Sequence, residues 1–129
     1  MIADHYSEIL QNVFIKYKQI SFAYLFGSTA TGQQTALSDV DIAVYLRKSS
    51  RFSFDDTLSF HGDCCRVLKR NDLDVLILNT TKNLILLEDI IHHGHIIYNI
   101  DSMLLNDFEL RTLHIASDFR WQRLREVGV

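Results

Sequence analysis

The segment Val40–Leu46 (VDIAVYL), with Asp39 ahead of it, alternates in a way that fixes its structure. Val40, Ile42, Val44 and Leu46 share one face; Asp39, Asp41, Ala43 and Tyr45 share the other. Such a segment is a strand with one apolar side, and its other side begins with two carboxylates. Alternate carboxylates repel unless water or a cation lies between them, and burying them unpaired costs several kcal/mol. Oxygen-only ligands select Mg²⁺, Mn²⁺ or Ca²⁺ over Zn²⁺. Mg²⁺ usually takes one or two carboxylates and leaves its other positions to water and phosphate oxygens.

Two further elements extend this site. Phe26-Gly27-Ser28 ends a β-prone run, Ser21–Phe26, and opens a turn. Glycine lets the backbone approach a phosphate closely, and the following amides and the Ser28 hydroxyl can donate to it. Leu73–Leu78 (LDVLIL) is a near-continuous apolar run, which predicts a central strand covered on both faces. In a buried strand Asp74 is an isolated charge, and completing a metal site gives it a reason. Asp72, beside Asn71, reads instead as a solvated turn residue. A phosphate cradle next to paired acids suits phosphoryl or nucleotidyl transfer, in which two metals about 4 Å apart clamp the attacking and leaving oxygens.

The rest of the chain reads as a frame for these strands. Tyr6, Ile9, Leu10, Val13, Phe14 and Tyr17 recur at helical spacing. Thr29–Ser38 reads as a short turn or helix start plus a loop. Ser53 and Asp56 form a capping box ahead of a helix whose stripe is Phe54, Leu58, His61, Cys65 and Leu68. Thr81 is expected to cap a helix from Lys82 to His93, with Gly94 as its stop. His95–Asn99 predicts a short edge strand, and Ser102–Glu126 one long helix. The fold class is therefore mixed α/β (α+β), a small sheet flanked by helices.

The 129 residues predict a single domain over 1–129, without linker or repeat. Net charge is −3, with no basic block, so direct nucleic-acid binding is not expected, whereas a small anion needs only a local site. Cys64 and Cys65 are adjacent and read as a reduced pair. No signal peptide and no membrane-length apolar run stand out, so the expected location is the cytoplasm, with no membrane partner.

Gly27-Ser28, ten residues, then Asp39-x-Asp41 matches the pattern of the DNA polymerase β type of nucleotidyltransferase. The chain resembles in particular the minimal nucleotidyltransferases (MNT) paired with HEPN-domain proteins. Asp74 of DVLILN matches the family's third acid, and a looser likeness runs through LLEDIIHHGHIIYN into the last helix. The resemblance implies a polymerase β-like fold with a long C-terminal helix. It implies ATP as substrate and two Mg²⁺ ions: Asp39 and Asp41 bridge both ions, while Asp74 holds one and helps deprotonate the attacking hydroxyl. Gly27 and Ser28 then hold the β- and γ-phosphates. It further implies an antitoxin that transfers AMP to a tyrosine of a cognate HEPN RNase toxin. Two alternatives remain open: an antitoxin that neutralises by binding alone, and a transferase acting on a small molecule of the aminoglycoside kind. Little chain remains beyond the catalytic unit, so the acceptor surface is expected from a partner.

On the last helix, Leu104, Phe108, Ile115 and Phe119 form one apolar stripe, and Leu110, Leu113, Trp121 and Leu124 a second. Trp121 with Arg120 and Arg123 has the composition of an interface hot spot. His92, His93 and His95 lack the other ligands of a zinc site and suit a helix C-terminus. Arg47 and Lys48 read as a solvated turn rather than a phosphate contact.

Overall fold

A computed structural model describes residues 2–27 and 40–126, with side chains from Ala3 as far as Trp121. The elements run α1 (Ile2–Lys16), β1 (Ile20–Phe26), β2 (Val40–Leu46), α2 (Phe54–Leu68) and β3 (Leu73–Ile77). A 3₁₀ turn (Leu78–Thr80), α3 (Leu84–His93), β4 (His95–Asn99) and α4 (Ser102–Glu126) follow. The strands form one mixed sheet in the order β3-β2-β1-β4. β1 pairs antiparallel with β2 and β4, while β2 and β3, joined through α2, run parallel. A parallel pair needs such a crossover, and the helix supplies it.

Strand alternation sorts the core into two layers. Ile20, Leu25, Val40, Ile42, Val44, Leu46 and Leu73 face α1 and α2, where Leu10, Phe14, Phe60 and Cys64 meet them. Phe22, Tyr24 and Ala43 face α3 and α4, against Leu87, Ile90, Leu105 and Phe108. The predicted alternation of β2 holds from Val40 to Leu46. The α1 stripe holds as well, with Phe14 fully buried and stacked on Tyr98 at 4.9 Å.

Three expectations need correction. β3 is an edge strand, half-buried apart from Leu73 and Asp74, rather than a central one. Its apolar run reads like a covered strand because α2 shields one face and residues around Leu78 and Leu87 crowd the other. α2 has its Ser53–Asp56 capping box, but its buried face is Phe60, Asp63 and Cys64, leaving Phe54 and Leu58 exposed. α3 is capped by Asn83, which accepts from the Leu86 amide, rather than by Thr81. Thr81 instead donates to the Ile77 carbonyl. Gly94 does end α3, in extended backbone rather than the left-handed conformation. Its need is space: a Cβ there would lie 2.5 Å from the Ile90 carbonyl oxygen and 3.2 Å from that of Leu25.

Polar ties fasten the layers where apolar contact cannot. The Asp63 carboxylate, nearly buried on α2, accepts from the Tyr17 hydroxyl at 2.5 Å, Lys16 Nζ at 3.0 Å and Arg66 at 2.9 Å. The buried Tyr24 hydroxyl donates to Glu109 of α4, and burial with that carboxylate raises its pKa strongly. Asn79 brackets Leu46, accepting from its amide at 2.8 Å and donating to its carbonyl at 3.0 Å. This continues the β2 ladder after β3 has ended. Cys64 and Cys65 are free thiols, and burial pushes Cys64 up to about 12. No described helix is long and apolar enough to cross a membrane.

The Asp63 cluster sets an acid limit. Its hydrogen bonds from Tyr17, Lys16 and Arg66 hold the carboxyl at about 2, below its ordinary 3.8. The stabilisation is therefore complete above pH 4 and is lost as pH falls through 2. In urea unfolding at neutral pH, Asp63→Asn is expected to cost about 1–2 kcal/mol. The difference from the parent chain should shrink progressively below pH 4; a gap independent of pH would remove Asp63 from this role.

Candidate active site

The site lies where β1 ends and β2 and β3 begin. Phe26 of β1 pairs with Asp41 of β2, and Asp41 pairs in turn with Asp74 of β3. Partners in register point to the same side of a sheet and stand about 4.8 Å apart across the strands. The following residues confirm the side: Ala43 and Leu76, paired two positions on, both lie in the layer covered by α3 and α4. The two carboxylates thus emerge together on that face. Asp41 is half-buried and Asp74 exposed. Exposure corrects the sequence expectation of a buried charge at Asp74: an edge strand leaves the carboxylate open to solvent, within reach of an incoming molecule.

Gly27 closes the other side. Its φ of 77° is left-handed, where side chains are strained. A Cβ on Gly27 would fall on the Asp41 carboxylate oxygen and lie 3.4 Å from its Cγ. The turn backbone therefore presses directly on the acid, and only glycine leaves the carboxylate its place. Ser28 and Asp39, and the Thr29–Ser38 turn, lie outside the described residues.

The remaining candidates separate from the acids. Asp72 forms a two-pronged pair with Arg70, whose guanidinium lowers the Asp72 pKa, so it is a structural partner. Arg47 and Lys48 follow the far end of β2, roughly 20 Å along the strand from Asp41. They flank a shallow depression with Ser21, Asp101 and Met103, away from the acids. His93 pairs with Asp89 at 3.0 Å and His92 approaches Glu88 at 4.0 Å, both one turn apart on α3. Among the described residues no group of three histidine, cysteine or carboxylate side chains gathers as a metal site. Asp41 and Asp74 supply two oxygen donors on one face, beside a turn that tolerates no side chain; this donor chemistry fits a hard cation such as Mg²⁺.

A family model described as polymerase beta, nucleotidyltransferase, matches residues 8–103, well over half of the chain. The chain belongs to this family. Residues 8–103 include every site candidate, and the nucleotidyltransferase fold is shared with solved structures across nearly the whole chain. A chain of the crystal structure of a toxin–antitoxin with AMP-PNP superposes with a TM-score of 0.77 at 18% identity, covering 94% of each chain. A mutant of the toxin–antitoxin pair MntA–HpeT gives 0.73 at 17% identity, covering 97% of this chain and 94% of that one. The complex of tri-AMPylated Shewanella oneidensis HEPN toxin with an MNT antitoxin gives 0.71 at 15% identity, covering 97% and 95%. No curated protein sequence matches the chain.

The sequence did not reveal the contacts that support this candidate site. Tyr24, on the same strand as Phe26, is anchored to α4 through Glu109, which steadies β1 just before Gly27. A tyrosine inside an otherwise apolar strand signals that its hydroxyl needs a partner, but not which one. Gly27→Ala should be destabilised by about 1–2 kcal/mol, from the left-handed backbone and the displaced carboxylate together. Chemical denaturation measures the cost, and the ¹³C resonance of the Asp41 carboxyl reports the displacement. An unshifted resonance would show that the turn does not touch Asp41.

Proposed function

We propose that the chain is an antitoxin nucleotidyltransferase that transfers AMP from ATP to a tyrosine hydroxyl of a HEPN-domain RNase partner. The observation that carries this reading is the in-register pair Asp41–Asp74 beside Gly27, set in a fold that matches toxin–antitoxin structures over nearly all of both chains. One of those structures holds AMP-PNP and another an AMPylated HEPN toxin with an MNT antitoxin.

In this reading Asp39, Asp41 and Asp74 would hold Mg²⁺, which would neutralise phosphate charge and ease ionisation of the acceptor hydroxyl. The Gly27 turn and the Ser28 hydroxyl hold the β- and γ-phosphates and leave the α-phosphorus facing the acids. The acceptor oxygen bonds to that phosphorus, the bond to the bridging oxygen breaks, and pyrophosphate departs with the electron pair. Asp74 is suited to receive the hydroxyl proton because it is the exposed acid, on the edge strand, where a partner's side chain can approach. Half-buried Asp41 is suited to hold position. The location expected for such a pair is the cytoplasm, where ATP and RNA are found.

With α-labelled ATP and Mg²⁺, label should appear on a tyrosine of the co-purified partner. Asp41→Asn and Asp74→Asn should each lower the transfer rate by about a hundredfold or more. Full transfer by either variant would remove that residue from the site. Neutralisation of the partner unchanged in both would mean that binding alone suffices. Label reaching an aminoglycoside without any partner would move the activity to small molecules.

A further inference from the structure

We infer that the chain carries a second binding site, for a planar heteroaromatic molecule such as a purine nucleoside, at the end of the sheet opposite the acids. The site exists because β3 is short. β3 ends at Ile77, the register partner of Val44, so Tyr45 is the first residue of β2 with no β3 strand residue beside it. From Leu46 onward the Asn79 side chain stands in for the missing strand. A cavity of about 300 Å³ opens beside Tyr45, walled by Leu78, Leu84, Leu87, Phe108 and Ile115. That volume lies at the lower end of the range for small-molecule sites.

Three features specify a flat ring with a polar edge. The Tyr45 ring stacks on Phe22 at 4.8 Å and 6°, with the Phe108 ring tilted against it at 5.1 Å. Phe22 does not line the cavity, whereas Tyr45 does, so an entering ring would continue this row of aromatic faces on its open side. Thr112 of α4 lines the cavity and is only 7% exposed. Among the described residues its hydroxyl makes no hydrogen bond, and it is not sealed from the cavity. The hydroxyl opens on the cavity, where it can both donate to and accept from a bound molecule. Asn79, at the same wall, keeps one N–H beyond its two bonds to Leu46. Arg111, at the wall, is paired with Asp107 at 3.2 Å on the helix surface.

This cavity is separate from the nucleotide site. It lies on the same sheet face as Asp41, about 13 Å along β2. Between them Ala43 is fully buried under α3 and α4, so a nucleotide held at the acids has no open path along the strand to Tyr45.

Equilibrium dialysis of the full chain against labelled adenosine, with EDTA present, tests the site. Adenosine should bind one per chain with a Kd under about 1 mM. Asp41→Asn should leave this binding unchanged. Thr112→Val, which keeps the shape and removes the hydroxyl, should weaken it about fivefold or more. Leu84→Trp should abolish it by filling the cavity, with circular dichroism confirming the fold. The inference is overturned if adenosine, guanosine and cytidine all fail to bind at about 5 mM. It is also overturned if binding is lost in Asp41→Asn but survives in Thr112→Val and Leu84→Trp. Should the folded Leu84→Trp chain instead lose its protein partner while nucleosides never bind, the cavity receives an aromatic side chain and the nucleoside site is refuted.

Discussion

Two carboxylates standing side by side on neighbouring strands repel one another, and the rest of the sheet holds them there. Parallel pairing of β2 with β3 sets Asp41 against Asp74, and antiparallel pairing with β1 brings the Gly27 turn onto the same carboxylate. Shifting either register by one residue would send an acid into the apolar layer under α1 and α2. The valines, isoleucines and leucines on the opposite face of these strands therefore do more than fill a core. Val40, Ile42 and Leu73, all essentially buried, fix the register on which the acids depend.

The layers divide the work. α1 and α2 close the face without acids, with Phe14, Phe60 and the Asp63 cluster joining them. α3 and α4 cover the face that bears the acids but stop short of the strand ends, so Asp41 is only half-buried and Asp74 is open. Placing Asp74 on the edge strand gives up shelter for access to solvent. The stripe of α4 that packs on the sheet is Leu105, Phe108, Thr112 and Ala116, and the Arg120–Glu88 pair fastens its later turns to α3. Leu110, Ile115, Phe119 and Trp121 remain about half exposed or more.

Much of this was legible in the residue order because it is local. Alternation in VDIAVYL fixed both faces of β2, helical spacing fixed α1, and Ser53–Asp56 marked the start of α2. The side on which Asp41 stands was legible for the same reason, since alternation sets it opposite Val40 and Ile42, while Asp39 lies outside the described residues. What failed was tertiary. An apolar run such as LDVLIL does not reveal whether a strand lies inside a sheet or at its edge, since a covering helix buries either. The α2 face was misread because Asp63 and Tyr17 bury a polar cluster where a hydrophobic stripe was sought. On α4, Leu104, Phe108, Ile115 and Phe119 were grouped as one stripe, whereas the buried one is Leu105, Phe108, Thr112 and Ala116. Arg120 is held by Glu88, a contact from another helix that spacing cannot reveal. The bond between Tyr24 and Glu109, 85 positions apart, is of the same kind.

The account depends on Asp41 and Asp74 acting on one cation. A double-mutant cycle on Mn²⁺ affinity, followed by electron paramagnetic resonance, measures this with Asp41→Asn, Asp74→Asn and the double variant. If both oxygens hold the same ion, each single change weakens binding, and the double variant binds little worse than the weaker single one. Losses that simply multiply, or affinity unchanged in either single variant, would show that the two acids act apart and would contradict the account.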